Sequence, residues 1–124
     1  MAGKKILIVD DDNRNVFALK AVLKAKGFDC LTSLGMKEAF MILNKEKDIS
    51  IILLDMMMPD LDGYQSIPLI RNHETAGPIP IIAVTAQAMK GDRERCLEAG
   101  ADEYISKPVN IDELLKVMDG LTKH

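Results

Sequence analysis

The chain has 124 residues, 48% hydrophobic and 28% charged, an ordinary globular composition with enough length for one core. A formal net charge of −3 gives no electrostatic footprint for nucleic acid, and 4% aromatic residues without tryptophan leave no base-stacking platform. No apolar run reaches spanning length, and Lys4-Lys5 precede only the short run Ile6–Val9, so a membrane anchor or signal peptide is not expected and the expected location is cytoplasmic.

In chain order, Lys5–Val9 reads as a first strand that ends in Asp10-Asp11-Asp12. A helix follows, with Val16, Leu19, Val22 and Leu23 on one face and Gly27 as its stop. Phe28–Ser33 is a weaker second strand, and Met36, Ala39, Phe40 and Leu43 at i, i+3, i+4 and i+7 mark a second amphipathic helix. Ile49–Leu54, apolar except for Ser50, suits a strand buried on both faces of a parallel sheet, and it ends abruptly in Asp55. Met56–Met58, Pro59 and the turn signals Asp60–Gly63 come next. Tyr64–Asn72 reads as a third helix, with Pro68 expected to kink or shorten it. Ile81–Val84 is a fourth strand ending in Thr85, and Lys90–Ala99 a charged, thinly apolar fourth helix weakened by Gly91 and expected to be the most mobile. Glu103–Ser106 is a fifth strand followed by Lys107-Pro108, and the last helix starts at Asn110, with Glu113 three residues on and Ile111, Leu114, Leu115 and Met118 as its stripe.

Strand and helix thus alternate five times over short connections, which predicts an α/β fold with a parallel five-stranded sheet and helices on both faces. A single domain over residues 1–124, with its core at about 4–121, is expected. Cys30 and Cys96 match no metal-ligand spacing and read as buried or half-buried thiols, while His73 and His124 read as exposed and without partners.

In such a sheet every strand's carboxyl end lies on one edge, which gathers Asp10, Asp11 and Asp12, Asp55, Thr85 and Lys107. Each has a bland reading alone: capping acids, a turn hydroxyl, a solvated lysine. Together they define a chemistry. Crowded carboxylates repel by about 4 kcal/mol at 4 Å and an effective dielectric near 20, and a divalent cation relieves this. Oxygen ligands without nearby His or Cys suit Mg2+, and the lysine and hydroxyl complete a cradle for phosphoryl oxygens. Asp55 is the natural nucleophile, because a carboxylate can form an acyl-phosphate.

These residues resemble the receiver domain of two-component response regulators. ILIVDDDNRNVFAL is similar to that family's first strand and acidic turn, LLDMMMPDLDG to its phosphoacceptor strand and loop, AVTA to its switch-hydroxyl strand and DEYISKP to its closing strand. Order and spacing agree from Lys4 to Leu121. The resemblance implies a flavodoxin-like (βα)5 three-layer sandwich with strand order 2-1-3-4-5. It implies that Asp55 accepts a phosphoryl group from a phosphohistidine, with Mg2+ held by Asp10, Asp11, Asp55 and the Met57 backbone carbonyl. Thr85 and Lys107 would bind the phosphoryl group, Tyr104 would be the aromatic switch, and the Lys107–Pro108 bond would be cis. Asp12 falls outside the acidic pair and keeps a capping role. The implied partners are a sensor histidine kinase or a histidine phosphotransfer protein and a downstream protein target, in a phosphorylation-controlled switch and not an enzyme.

Met57 and Gln87, two beyond Asp55 and Thr85, flank the path of an attacking water in this family. A bulky Met57 is expected to slow self-dephosphorylation. A magnesium-dependent phosphatase with an aspartyl-phosphate would need a second acid two residues after Asp55 and room for a cap domain. A flavin binder would meet an acidic, aromatic-poor edge. TAQAMKGDRERCLEAGADEYISKP looks like receivers attached to hybrid kinases, whereas the Met1 start and the ending at His124 fit a complete small regulator.

Overall fold

The computed structural model describes residues 4–58, 63–86 and 91–122. In order they form β1 (Lys5–Val9), α1 (Asn13–Ala25), β2 (Asp29–Ser33), α2 (Met36–Lys45), β3 (Ile49–Asp55), α3 (Gly63–Arg71), β4 (Ile81–Thr85), α4 (Asp92–Ala99), β5 (Glu103–Ser106) and α5 (Ile111–Thr122). All neighbouring strands pair in parallel, in the order β2-β1-β3-β4-β5.

Period-two alternation within the strands builds two cores from one sheet. Leu7, Val9, Ile52, Leu54, Ile81 and Ala83 pack with Met36, Ala39, Leu43, Ile67, Ile70 and Cys96 of α2, α3 and α4. Ile6, Ile8, Ile51, Leu53, Ile82 and Val84 pack with Val16, Leu19, Leu23, Leu114 and Met118 of α1 and α5. The result is the three-layer, flavodoxin-like arrangement that the sequence implies. β3 lies between β1 and β4 and is buried on both faces, which is why its sequence is an almost unbroken apolar run.

Local signals place the helix ends. The Asp12 side chain accepts from the backbone N–H groups of Arg14 and Asn15, capping α1, and Gly27 beyond it adopts φ 94°. Asn110 Oδ1 accepts from the Glu113 N–H at 3.0 Å and caps α5. Gly63 opens α3 because a Cβ there would come within 2.9 Å of the Met56 Cα, a backbone contact that cannot yield cheaply. Of the apolar faces, Val22, Phe40, Ile111 and Leu115 are half-buried and the rest of each stripe is buried.

Two details, at Gly91 and His73, depart from the sequence reading, and a third, at Pro68, refines it. α3 continues through Pro68 to Arg71, one residue short of the expected end at Asn72; Pro68 sits on the exposed face, where water can serve a carbonyl deprived of its N–H partner. Gly91 is not inside α4 but precedes it as N-cap, in a left-handed conformation at φ 93° that a side chain resists. His73 is half-buried and has partners. Its Nδ1 accepts from the N–H groups of Thr75 and Ala76, its Nε2 meets Asn44 Oδ1 at 2.7 Å, and its ring stacks on Phe40. Cys30 and Cys96 are buried free thiols. His124, Lys90, Gln87 and the turn Pro59–Asp62 lie outside the described residues.

Arg71, at the end of α3, joins four segments. Its guanidinium donates to the carbonyls of Gly77 (2.8 Å), Ile79 (2.7 Å) and Gly100 (3.1 and 2.6 Å) and to Asp102 Oδ2 (2.6 Å), which also accepts from the Ile81 N–H. An alanine there would remove this donor from the carbonyls of Gly77, Ile79 and Gly100 and one of the two donors from Asp102 Oδ2. Arg71→Ala is expected to cost about 3 kcal/mol in chemical denaturation, through the loss of charge-assisted bonds.

Candidate functional site

The chain crosses from β1 to β2 on one side and from β3 to β4 on the other, which opens a crevice at the carboxyl ends of β1 and β3. β1 delivers Asp10 and Asp11 to it, and β3 delivers Asp55. Asp10 and Asp55 are buried, at 3% and 4% exposure, and Asp11 is exposed. One carboxylate oxygen from each of the three lies within 4.8 Å of the others.

β5 brings the countercharge. The Lys107 N–H donates to the Thr85 carbonyl at 2.8 Å, carrying the β4–β5 ladder one residue past Ser106 and aiming the lysine back over the edge. Its Nζ lies 3.2 Å from Asp10 Oδ2 and 3.5 Å from Asp55 Oδ2. The peptide bond that follows, Lys107–Pro108, is cis. Thr85 ends β4 and is buried, paired with Ser106.

The electrostatics follow from burial. Desolvation raises the Asp55 carboxyl above its ordinary value, the Met57 N–H at 3.0 Å from Oδ1 opposes the rise, and Asp10 adds to it while Lys107 counters it. For Lys107, burial pulls the pKa down, but the charges of Asp55 and Asp10 outweigh it and the ammonium is held above its ordinary value. The lysine is therefore a fixed cation between two acids.

The residues singled out from the sequence separate into three groups. Asp10, Asp11, Asp55 and Lys107 converge directly. Thr85 shares their edge, and Tyr104 lies behind it: Tyr104 pairs with Ala83, two residues before Thr85, so its ring falls on the α4 side of the sheet. That ring is half-buried, and burial and Asp92 push its hydroxyl up. Met57 sits at the rim, 47% exposed, between the buried Met56 and Met58. Asp12 caps α1 and is no member of the carboxylate cluster.

One site residue escaped the sequence reading. Asn15 Nδ2 donates to Asp10 Oδ2 at 2.6 Å. The available signal was an amide in the first turn of the helix that follows the acids. Beside it, Asp12, Asn15, Ala18, Leu19, Lys107 and Pro108 help line a largely apolar groove of about 570 Å3 between α1 and the segment after β5.

Hard oxygen donors crowded in a buried crevice, with no His or Cys among them, fit a divalent cation of the magnesium type. The lysine opposite fits an anion with several oxygens, such as a phosphoryl group.

Residues 6–119 match the family model described as the response regulator receiver domain. The chain is 40% identical over 125 aligned residues to hybrid signal transduction histidine kinase I of Dictyostelium discoideum, covering 96% of this chain and 7% of that protein. It is 32% identical to the polar-differentiation response regulator DivK of Brucella ovis, with 93% of each chain covered. Among solved structures, the receiver domain of the sensor histidine kinase PA1611 from Pseudomonas aeruginosa PAO1 superposes with a TM-score of 0.88 at 34% identity, over 99% of this chain and 100% of that one. That crystal structure has a magnesium ion coordinated in its active site cleft. A chain carrying this sheet, this acidic crevice and this match over nearly its whole length belongs to the response regulator receiver domain family.

Proposed function

We propose that the chain is one receiver domain whose Asp55 takes a phosphoryl group from a phosphohistidine, and that the transfer switches a protein-interaction surface. The observation that carries this is the convergence of Asp10, Asp11 and Asp55 within 4.8 Å with Lys107 reaching two of them. An Asp55 oxygen attacks phosphorus, the P–N bond breaks as the P–O bond forms, and a neutral imidazole leaves, keeping the proton that the phosphohistidine carries on its other ring nitrogen. Asp10, Asp11, Asp55 and the Met57 carbonyl would hold Mg2+, which would supply charge neutralisation at the carboxylates and phosphoryl oxygens. Lys107 holds one phosphoryl oxygen by its charge, and the Thr85 hydroxyl donates to another. The Met57 N–H and the charge of Lys107 both oppose the rise that burial imposes on the Asp55 carboxyl, and so favour its nucleophilic, ionised form.

The aspartyl-phosphate is the end of this chain's chemistry, as suits a signalling switch and not an enzyme. A phosphatase would need an acid two residues beyond Asp55, and Met57 stands there. The donor is a sensor histidine kinase or a histidine phosphotransfer protein in the cytoplasm. The apolar groove of about 570 Å3 beside Lys107 is the surface on which that donor would dock. Inward movement of Thr85 on phosphorylation would free space toward Tyr104, two strand positions away on the same face, and so reach α4 and β5 and the downstream protein target. Among the described residues no helix is long and apolar enough to cross a membrane.

Borohydride reduction tests the reading, because an aspartyl-phosphate, but no phosphoserine or phosphohistidine, reduces to homoserine. After phosphorylation with a small acyl-phosphate and Mg2+, the peptide spanning β3 should carry homoserine at position 55. Homoserine at another position, or at none despite a phosphoryl adduct, would refute it.

Met57 makes a separate prediction. Its exposed, apolar side chain next to the acceptor shields the acyl-phosphate from water. Met57→Asn is expected to lose phosphate severalfold faster than the parent, followed by decay of the adduct in intact mass.

A further inference from the structure

Asp10 receives three donors in a defined division. The Asp12 N–H bonds to Oδ1 at 2.9 Å, while Asn15 Nδ2 at 2.6 Å and Lys107 Nζ at 3.2 Å both address Oδ2. A carboxylate has about four lone-pair directions. Three are taken, and the one left is on Oδ1.

Helix capping does not account for Asn15. It occupies the third position of α1, where a side chain often turns back to the N-cap N–H. Here that N–H, of Asp12, is already bound to Asp10 Oδ1, and the free first-turn N–H groups of Arg14 and Asn15 are served by the Asp12 side chain. The Asn15 amide instead reaches past the cap to a carboxylate that is 3% exposed. α1 carries it there as a rigid arm.

We infer that Asn15 is a positioning residue for the cation site: its amide pins Asp10 Oδ2 and thereby fixes the orientation of the carboxylate that would ligate the ion. This rests on the reading of the acidic crevice as a magnesium site. Without the amide, Asp10 is held on Oδ2 by Lys107 alone, on a long flexible stem, and rotates between orientations of which one suits the ion. Partners of metal ligands that act in this way typically change affinity by about 10- to 100-fold when removed.

The test compares the parent, Asn15→Ala and Ala21→Gly, the last loosening α1 at an exposed position without touching the acids. Mg2+ affinity is read by calorimetry on the unphosphorylated protein, independently of any phosphoryl transfer. Asn15→Ala is expected to bind Mg2+ about tenfold more weakly, and Ala21→Gly within twofold of the parent. In phosphorylation by a small acyl-phosphate, Asn15→Ala should raise the Mg2+ concentration for half-maximal rate by about the same factor and leave the rate at saturating Mg2+ within about twofold. Asn15→Ala binding Mg2+ within twofold of the parent would overturn the inference, as would an equal loss in Ala21→Gly, which would trace the effect to a loosened helix. A parent that binds no Mg2+ would overturn the reading of the site itself, a distinct failure.

Discussion

Lys107→Ala is expected to destabilise the metal-free protein by about 2–3 kcal/mol, or roughly 10 °C in Tm, despite removing one of the more exposed groups of the site. The lysine is the countercharge that the crevice provides for two carboxylates at 3% and 4% exposure. Removing one partner of a buried ion cluster leaves the other charges uncompensated, which is where the large penalties arise. The Lys107 side chain is 23% exposed, so water can enter the space it vacates and keep the loss toward the lower end. Saturating Mg2+ should recover most of the deficit, because a dication replaces the missing charge, and thermal melts with and without Mg2+ measure both quantities. A variant as stable as the parent without metal would mean that Asp10 and Asp55 do not feel one another.

Asp55→Asn has the opposite sign. It is expected to raise metal-free stability by about 1–2 kcal/mol while abolishing phosphoryl uptake. Two carboxylate oxygens within 4.8 Å repel by about 3 kcal/mol at an effective dielectric near 20, and Lys107 offsets part of this. The gain has a defined pH dependence. Burial raises the Asp55 pKa in the folded state, so over the range between its ordinary and its folded value the native protein binds more protons than the unfolded chain. Stability of the parent therefore falls as pH rises through that range, and the advantage of Asp55→Asn grows over the same range and vanishes below it. The raised pKa of Lys107 acts elsewhere: its contribution is present below its ordinary value and is lost only in alkali, as pH rises through its folded value. Urea unfolding of both proteins across the acidic range, without metal, measures the difference. The site is thus a local cost that function imposes on the fold.

How far the sequence reveals this arrangement depends on the range of the interactions. β3 is legible because burial on both faces demands an unbroken apolar run, and α1, α2 and α5 because one buried stripe leaves its period in the residues. Strand order follows from the family resemblance, whereas the parallel alternation alone places the carboxyl ends, and with them Asp10, Asp55, Thr85 and Lys107, on one edge. The Asn15–Asp10 bond was not legible, because an asparagine in a helix's first turn reads first as a cap. The Arg71 bonds to Gly100 and Asp102 span about thirty residues, and no local pattern announces such a contact. Gly91 is ambiguous in the sequence for a related reason: a glycine before a weakly apolar helix looks the same as one inside it, and only φ distinguishes them.

Two properties are central: Asp55 as the acceptor, and a metal-dependent crevice around it. Intact mass after incubation with a small acyl-phosphate tests both at once, comparing parent and Asp55→Asn with Mg2+ and with a chelator. The predicted result is one phosphoryl adduct on the parent in Mg2+, lost in the variant and lost with the chelator. An adduct of equal yield on Asp55→Asn, or one on the parent indifferent to the chelator, would contradict it.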